Sequence, residues 1–169
     1  WLIEIATAMN GTKTYSLHSC LKSAKDIMSV SINDITINGK RVNSDLKEPI
    51  VKLKNYAFAE SNITNIDLTG VKEIGANVFQ RCKMLSEVSI PEGCSLKATV
   101  FAWCSNLTKV TLPSDLNEIG TYVFVECNIK ELVLPESLSK IAEYAFSKNI
   151  NLEKVYIKNP ESNLAVGSL

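Results

Sequence analysis

The stretch Ile74-Gly75-Ala76-Asn77-Val78-Phe79-Gln80-Arg81-Cys82-Lys83-Met84-Leu85-Ser86-Glu87-Val88-Ser89-Ile90-Pro91 decides how this chain folds, because its skeleton returns along the sequence. With small changes it reappears from Ile119 to Pro135. Outward from these two copies, Phe58, Phe79, Phe101, Phe124 and Phe146 stand about 22 residues apart, which marks an internal repeat. Each follows Ala or Val, and they are all five phenylalanines of the chain. Five residues before them come Leu53, Ile74, Leu96, Ile119 and Ile141, and Gly75 and Gly120 directly follow their isoleucines.

A second apolar set follows each Phe: Ile63-Ile66-Leu68, Leu85-Val88-Ile90, Leu107-Val110-Leu112, Ile129-Leu132-Leu134 and Leu152-Val155-Ile157. The last part of each set alternates as a strand does, and Pro91, Pro113 and Pro135 then remove the next ladder donor. One short strand per repeat is therefore expected. A single unit of this length cannot bury a two-sided apolar pattern, but stacked copies turn each apolar position into a continuous internal ladder. Neighbouring parallel strands would lie about 4.8 Å apart in one long sheet.

The pattern I-G-x-x-A-F-x-x-C-x-x-L-x-x-V-x-L-P resembles the BspA-like class of leucine-rich repeats over roughly residues 50 to 169. Ser61 and Asn149 depart from it at the Cys position, and Ala142 at the Gly position. The resemblance implies a leucine-rich-repeat solenoid: a β-rich right-handed coil with one parallel sheet, and irregular or short helical turns on the opposite side. It also implies a bacterial or protist surface protein used in adhesion or host interaction.

Three segments are expected. Residues 1–49 read as degenerate repeats or an N-terminal cap, with a short helix possible over Ser16–Met28 and strand spacing in Ile32-Ile35-Ile37. Asn38-Gly39 favours a tight hairpin turn inside an insertion of about ten residues. Residues 50–159 hold five repeats. Residues 160–169 begin a sixth, since Leu164 and Leu169 repeat the spacing of Ile141 and Phe146, so further sequence is expected in the parent protein.

The chain has 169 residues, 46% of them hydrophobic, enough to bury one continuous core. Eighteen basic residues balance eighteen acidic ones, so no net field would draw nucleic acid from a distance. No apolar run approaches the roughly 18 residues of a membrane-spanning helix, and Trp1-Leu2-Ile3-Glu4 does not resemble a signal peptide.

Catalytic and metal chemistry find little support. Cys82, Cys104 and Cys127 sit three residues after their phenylalanines and should stack, but three thiols lack a fourth ligand and no C-x-x-C is present. Buried apolar thiols are the favoured reading. Cys20 and Cys94 are uncertainly placed, and no disulfide can be argued for them without geometry. His18 is the only histidine, so every His-dependent site would rest on one residue of the irregular region. No glycine-rich phosphate loop occurs, and no cofactor is expected.

The outward strand positions carry more information. Asn65, Glu87, Lys109, Glu131 and Lys154 alternate in sign from Glu87 onward, a charge ladder that would favour this register by about 0.2 to 1 kcal/mol per pair. On the other side of the central apolar residue, Asp67, Ser89, Thr111, Val133 and Tyr156 change from polar to apolar. Val133 and Tyr156 mark either a ligand contact or a surface covered by following repeats. Trp103 occupies a position held elsewhere by Glu60, Arg81, Glu126 and Lys148, which predicts a solvent-facing indole on the loop side. Tyr56, Tyr122 and Tyr144, two before their phenylalanines, should stack within the repeat. Asn10-Gly11-Thr12, Asn62-Ile63-Thr64 and Asn106-Leu107-Thr108 match the N-glycosylation acceptor pattern, as chance allows in Asn- and Thr-rich repeats.

The expected function is non-enzymatic binding of a protein or glycan on the strand face or at the Trp103 edge, by a cell-surface or secreted repeat protein. The candidate contact residues are Val133, Tyr156, Trp103, Thr111 and Lys154. The alternative is a structural spacer that displays another domain.

Overall fold

The computed structural model describes residues 29–31, 36–37, 40–41, 50–159 and 163–164. The possible helix over Ser16–Met28, most of the 1–49 segment and most of 160–169 lie outside them.

Thirteen short strands are present among the described residues and fall into two rows plus a hairpin. The first row holds β1 (Ser29–Ser31), β5 (Asn65–Asp67), β7 (Glu87–Ser89), β8 (Lys109–Thr111), β10 (Glu131–Leu134) and β12 (Lys154–Ile157). The second holds β4 (Lys52–Leu53), β6 (Glu73–Ile74), β9 (Glu118–Ile119), β11 (Lys140–Ile141) and β13 (Asn163–Leu164). The hairpin is β2 (Thr36–Ile37) with β3 (Lys40–Arg41), antiparallel around Asn38-Gly39 as the turn chemistry predicts. Every pairing within the rows is parallel, each strand aligned with the one a coil further on.

The expected single sheet resolves into the pairs β1-β5, β7-β8 and β10-β12. Consecutive pairs remain neighbours, and Ser86 N donates to Thr64 O at 3.0 Å between the first and second. The second row adds strand that the spacing does not predict: its elements are two residues long, and the third coil contributes only the bridge of Leu96 to Ile119. Each full coil therefore carries two strand segments, except the third, where the bridge of Leu96 stands in for the second. The strand before β5 also differs from expectation. Val30, not a member of the Ile32-Ile35-Ile37 set, pairs with Ile66, so the insertion that includes the hairpin is longer than ten residues.

The core follows the repeat. All five phenylalanines are fully buried, and neighbouring rings stack with centroids 5.5, 5.1, 5.4 and 5.1 Å apart. Such near-parallel aromatic stacks add about 0.5–1.5 kcal/mol per pair to the burial itself. Leu53, Ile74, Leu96, Ile119 and Ile141 form a second buried ladder. A third, hidden in the sequence by its mixed chemistry, is Val71, Cys94, Leu116 and Leu138, which gives Cys94 its place.

The turns around each Phe satisfy their backbone in an alternating manner. Tyr56, Phe58 and Glu60 donate their N–H groups to Ala76, Val78 and Gln80 of the next coil, at 3.1, 2.9 and 2.8 Å. Ala57, Ala59 and Ser61 between them donate three residues back, to Lys54, Tyr56 and Phe58. This alternation requires left-handed backbone two residues before and two after each Phe. Ten non-glycine residues adopt it, among them Tyr56, Thr99 and Tyr122 before, and Glu60, Trp103 and Lys148 after. A left-handed residue costs about 1–2 kcal/mol, and the axial hydrogen bond that it enables offsets part of that cost. Gly75 is needed for a different reason: a Cβ there would stand 2.7 Å from Asn55 N of the preceding coil.

Candidate functional site

The first-row strands β5, β7, β8, β10 and β12 lie side by side and present one outward face. Strands β5, β7, β8 and β10 bury the side chain between their outward residues, and β12 half-buries Val155 in the same position. Glu87 pairs with Lys109 and Glu131 with Lys154 in strand register, with carboxylate-to-ammonium distances of 3.7 and 2.9 Å. The Glu131 carboxylate holds the Lys154 ammonium above its ordinary pKa by accepting its hydrogen bond. The charge ladder predicted from spacing is therefore present at both of these steps.

The second row uses the same chemistry. Glu73 lies between Lys52 at 2.8 Å and Lys97 at 3.1 Å, which lower its pKa, and Lys140 reaches Glu118 at 2.6 Å. From Glu87 to Lys154 in the first row and from Lys52 to Lys140 in the second, Lys and Glu thus alternate with a period of two coils. In the third coil the lysine comes one residue after the bridging Leu96 and still reaches back to Glu73.

Four of the five candidate residues share the strand face. Val133 pairs in register with Tyr156, and both are exposed, at 47% and 50%. Lys154 flanks Tyr156 on the same strand, and Thr111 stands on the neighbouring strand β8, which touches β10. Thr111 also borders a shallow groove of about 360 Å³, lined by Asn65, Asp67, Glu87, Ser89 and Lys109 over the buried Ile66 and Val88. The concavity thus lies over the polar coils, and the apolar pair extends the face beyond its end. Sequence reasoning missed this groove, since nothing in a row of small polar residues signals concavity.

Trp103 lies elsewhere, in the left-handed row of the turns. It is half-buried rather than solvent-facing. The Arg81 guanidinium sits 5.2 Å from its ring centre, and its indole N–H helps hold the Glu126 carboxyl below the usual range, after the larger effect of Lys148 at 2.7 Å. Arg81, Trp103, Glu126 and Lys148 form a row of mutual partners. Tyr122 and Tyr144 stack as expected, with centroids 5.1 Å apart, whereas the neighbour of Tyr56 in its row is Asn77.

The cysteine ladder is a hydrogen-bond ladder. The thiols of Cys82, Cys104 and Cys127 donate to the carbonyls of Phe58, Phe79 and Phe101 in the preceding coils, at 3.0, 3.1 and 3.2 Å. Asn149 Nδ2 does the same to Phe124 O at 2.8 Å. Ser61 heads the row and contacts the Cys82 sulfur at 3.3 Å. The two departures from the Cys pattern therefore keep a hydrogen-bonding side chain. Burial pushes the Cys82 thiol up to about 11 and that of Cys127 up to about 12, so these groups remain neutral donors and poor nucleophiles. Among the described residues, no three His, Cys, Asp or Glu side chains gather where they could hold a metal ion, and no helix is long and apolar enough to cross a membrane. His18 lies outside those residues.

Stacked coils with parallel strand rows and homotypic apolar ladders define a leucine-rich-repeat solenoid. The BspA type leucine-rich repeat model matches six copies over residues 39–98 and 94–167, and the chain belongs to that family. A leucine-rich repeat protein of Bacteroides ovatus is similar at 28% identity with a TM-score of 0.66, over 76% of this chain and 33% of that protein. This chain thus spans about a third of that relative's length. The leucine-rich repeat protein of T. pallidum shares the fold at 21% identity and a TM-score of 0.58, covering 78% of this chain and 71% of its own. A leucine-rich cell surface protein of Faecalibacterium prausnitzii does so at 18% and 0.53, covering 86% and 49%. No curated protein sequence matches the chain.

Proposed function

We propose that this segment is a recognition module of a cell-surface or secreted repeat protein, and that its strand face binds a protein or glycan in adhesion or host interaction. The observation that carries this reading is the exposed Val133–Tyr156 pair, seated beside Thr111 and Lys154 at the end of a polar groove. Interfaces draw most of their affinity from a few aromatic and apolar anchors framed by polar groups, and Tyr is prominent among them. The surface location draws support from the family and from the cell-surface relative in Faecalibacterium prausnitzii. Trp103, already engaged by Arg81 and Glu126, serves as the comparison residue.

The test is binding of the fluorescently labelled chain to cultured epithelial cells. Joint replacement Val133→Ala and Tyr156→Ala should weaken it about tenfold, the equivalent of roughly 1.4 kcal/mol, while Trp103→Ala leaves it within about twofold. Loss after protease treatment of the cells would identify a protein ligand, and loss after periodate a glycan. Unchanged affinity in the double variant would remove the strand face from the mechanism.

A structural spacer is the second reading, favoured by the pairing of Lys and Glu on the same face. It predicts that a parent protein lacking residues 92–135, two whole coils, keeps its activity.

A further inference from the structure

We propose that Asn62 is an acceptor for an N-linked glycan, and that Asn106 is a second acceptor for transferases that read only the hydroxyl side of the site. The argument starts from one loop position across the coils. Asn62-Ile63-Thr64, Met84-Leu85-Ser86, Asn106-Leu107-Thr108, Asn128-Ile129-Lys130 and Asn151-Leu152-Glu153 are equivalent triplets that lead into the first-row strands. Their middle residues point inward, and Ile63, Leu85, Leu107 and Ile129 are fully buried.

The asparagines divide into two groups. Asn151 Nδ2 donates to Asn128 Oδ1 at 2.6 Å, so these two join adjacent coils, and Lys130 and Glu153 stand two residues after them. Asn62 and Asn106 are exposed, lie in irregular segments, and are separated by the Met84 coil. Neither carboxamide makes a hydrogen bond among the described residues. Each is followed at the second position by Thr, the hydroxyl that an oligosaccharyltransferase binds. The acceptor pattern thus occurs where the amide has no bond to a neighbouring coil.

Asn62 has one more feature. Glu60 stands two residues before it, whereas Asn106 has the buried Cys104 there. A carboxylate at that position, together with the hydroxyl on the other side, is the acceptor read by single-subunit bacterial transferases. In the reaction, Asn62 Nδ2 attacks C1 of an oligosaccharide carried on a polyprenyl diphosphate. The N–C bond forms, the C1–O bond breaks with its electron pair leaving on the diphosphate, and a base of the transferase takes the amide proton. Asn62 and Asn106 each precede a groove-lining residue, Asn65 or Lys109, by three positions. Glycans there would fence the polar groove and leave Val133 and Tyr156 open.

The experiment uses the full chain with Asn10→Gln, made in two ways: secreted from eukaryotic cells, and exported to the periplasm of bacteria that carry a single-subunit transferase and its lipid-linked glycan. Intact mass and peptide mapping after enzymatic deglycosylation should place glycans on Asn62 and Asn106 in the first preparation, each lost in its own Asn→Gln variant. In the second, Asn62 alone should be modified, with the glycan lost in Glu60→Gln and in Thr64→Ala while circular dichroism is unchanged. Folded, exported chain with bare Asn62 in both preparations would overturn the proposal. Full occupancy in Glu60→Gln would overturn the role given to that carboxylate.

Discussion

The Phe ladder and the Lys/Glu ladders run along the same axis, but successive coils match by opposite rules. Inside, like sits on like: Phe58 stacks on Phe79, Phe79 on Phe101, and onward to Phe146. Outside, Glu87 faces Lys109, Glu131 faces Lys154, and Glu73 lies between two lysines. Apolar contact is indifferent to identity, so an interior row can repeat every coil. Charge requires complementarity, so an exterior row repeats every second coil. The interior therefore makes coils stack, and the exterior discriminates which coil sits on which.

Breaking the interior rule should have the largest effect. Phe101→Ala removes a ring held between two others and should cost about 3–5 kcal/mol in urea unfolding. A cost below about 1 kcal/mol would mean that the stack is not a principal source of stability.

The donor row comes next. Cys104→Ala deprives Phe79 O of one of its two hydrogen bonds and should cost about 1 kcal/mol, whereas Cys104→Ser, which keeps a donor, should cost less. The same row predicts an alkaline response. The thiols titrate higher in the folded chain than the ordinary value near 9, so the stability they contribute is complete below that pH and is lost as pH rises through about 11 to 12. Replacing Cys82, Cys104 and Cys127 together with Ser should flatten the loss, and an unchanged profile would assign it to other groups.

Testing the exterior rule should give a smaller effect, but one with a diagnostic sign. Deleting residues 92–113 would set Glu87 against Glu131 and Glu73 against Glu118, each like pair costing about 0.2–1 kcal/mol. Deleting residues 92–135 would restore Glu87 to Lys154 and Glu73 to Lys140. Added salt screens these pairs, so it should raise the stability of the one-coil deletion relative to its effect on the two-coil deletion. Equal salt responses would show that the alternation does not select register.

Much of this was legible in the sequence because an apolar repeat is a local pattern. The Phe ladder, the first strand row and the Glu/Lys pairing across it all follow from spacing. What escaped depends on neighbours a coil away. The second strand row becomes strand only by pairing, as Lys52 with Glu73 or Lys140 with Asn163, and two residues carry no periodicity of their own. The donor function that unites the thiols and Asn149 is defined by the Phe carbonyls of preceding coils, and Ser61 joins the row through the Cys82 sulfur of the next coil, so Ser61 and Asn149 read as mere departures. Trp103 reads as solvent-facing by position, and Arg81 from the preceding coil changes that. Ile35 has the spacing of a central strand residue and Val30 does not, because the insertion breaks the count before Val30 finds its partner Ile66. Of the candidate site, the apolar pair was visible as a change of character along a row, whereas the groove depends on three-dimensional shape.

The alternating turn amides have a mechanical consequence. Because Tyr56, Phe58, Glu60 and their counterparts donate along the axis, a pull on the ends of the solenoid loads the bonds between the outermost coils first. A coil of about 22 residues rises only about 4.8 Å when stacked but spans roughly 75 Å when drawn out, so each one that parts releases about 70 Å of slack. Single-molecule pulling should record a staircase of such lengths, and one long rip would show that the coils do not part singly. A tether on a surface under flow would in this way lengthen by increments and limit the tension reaching whatever it holds.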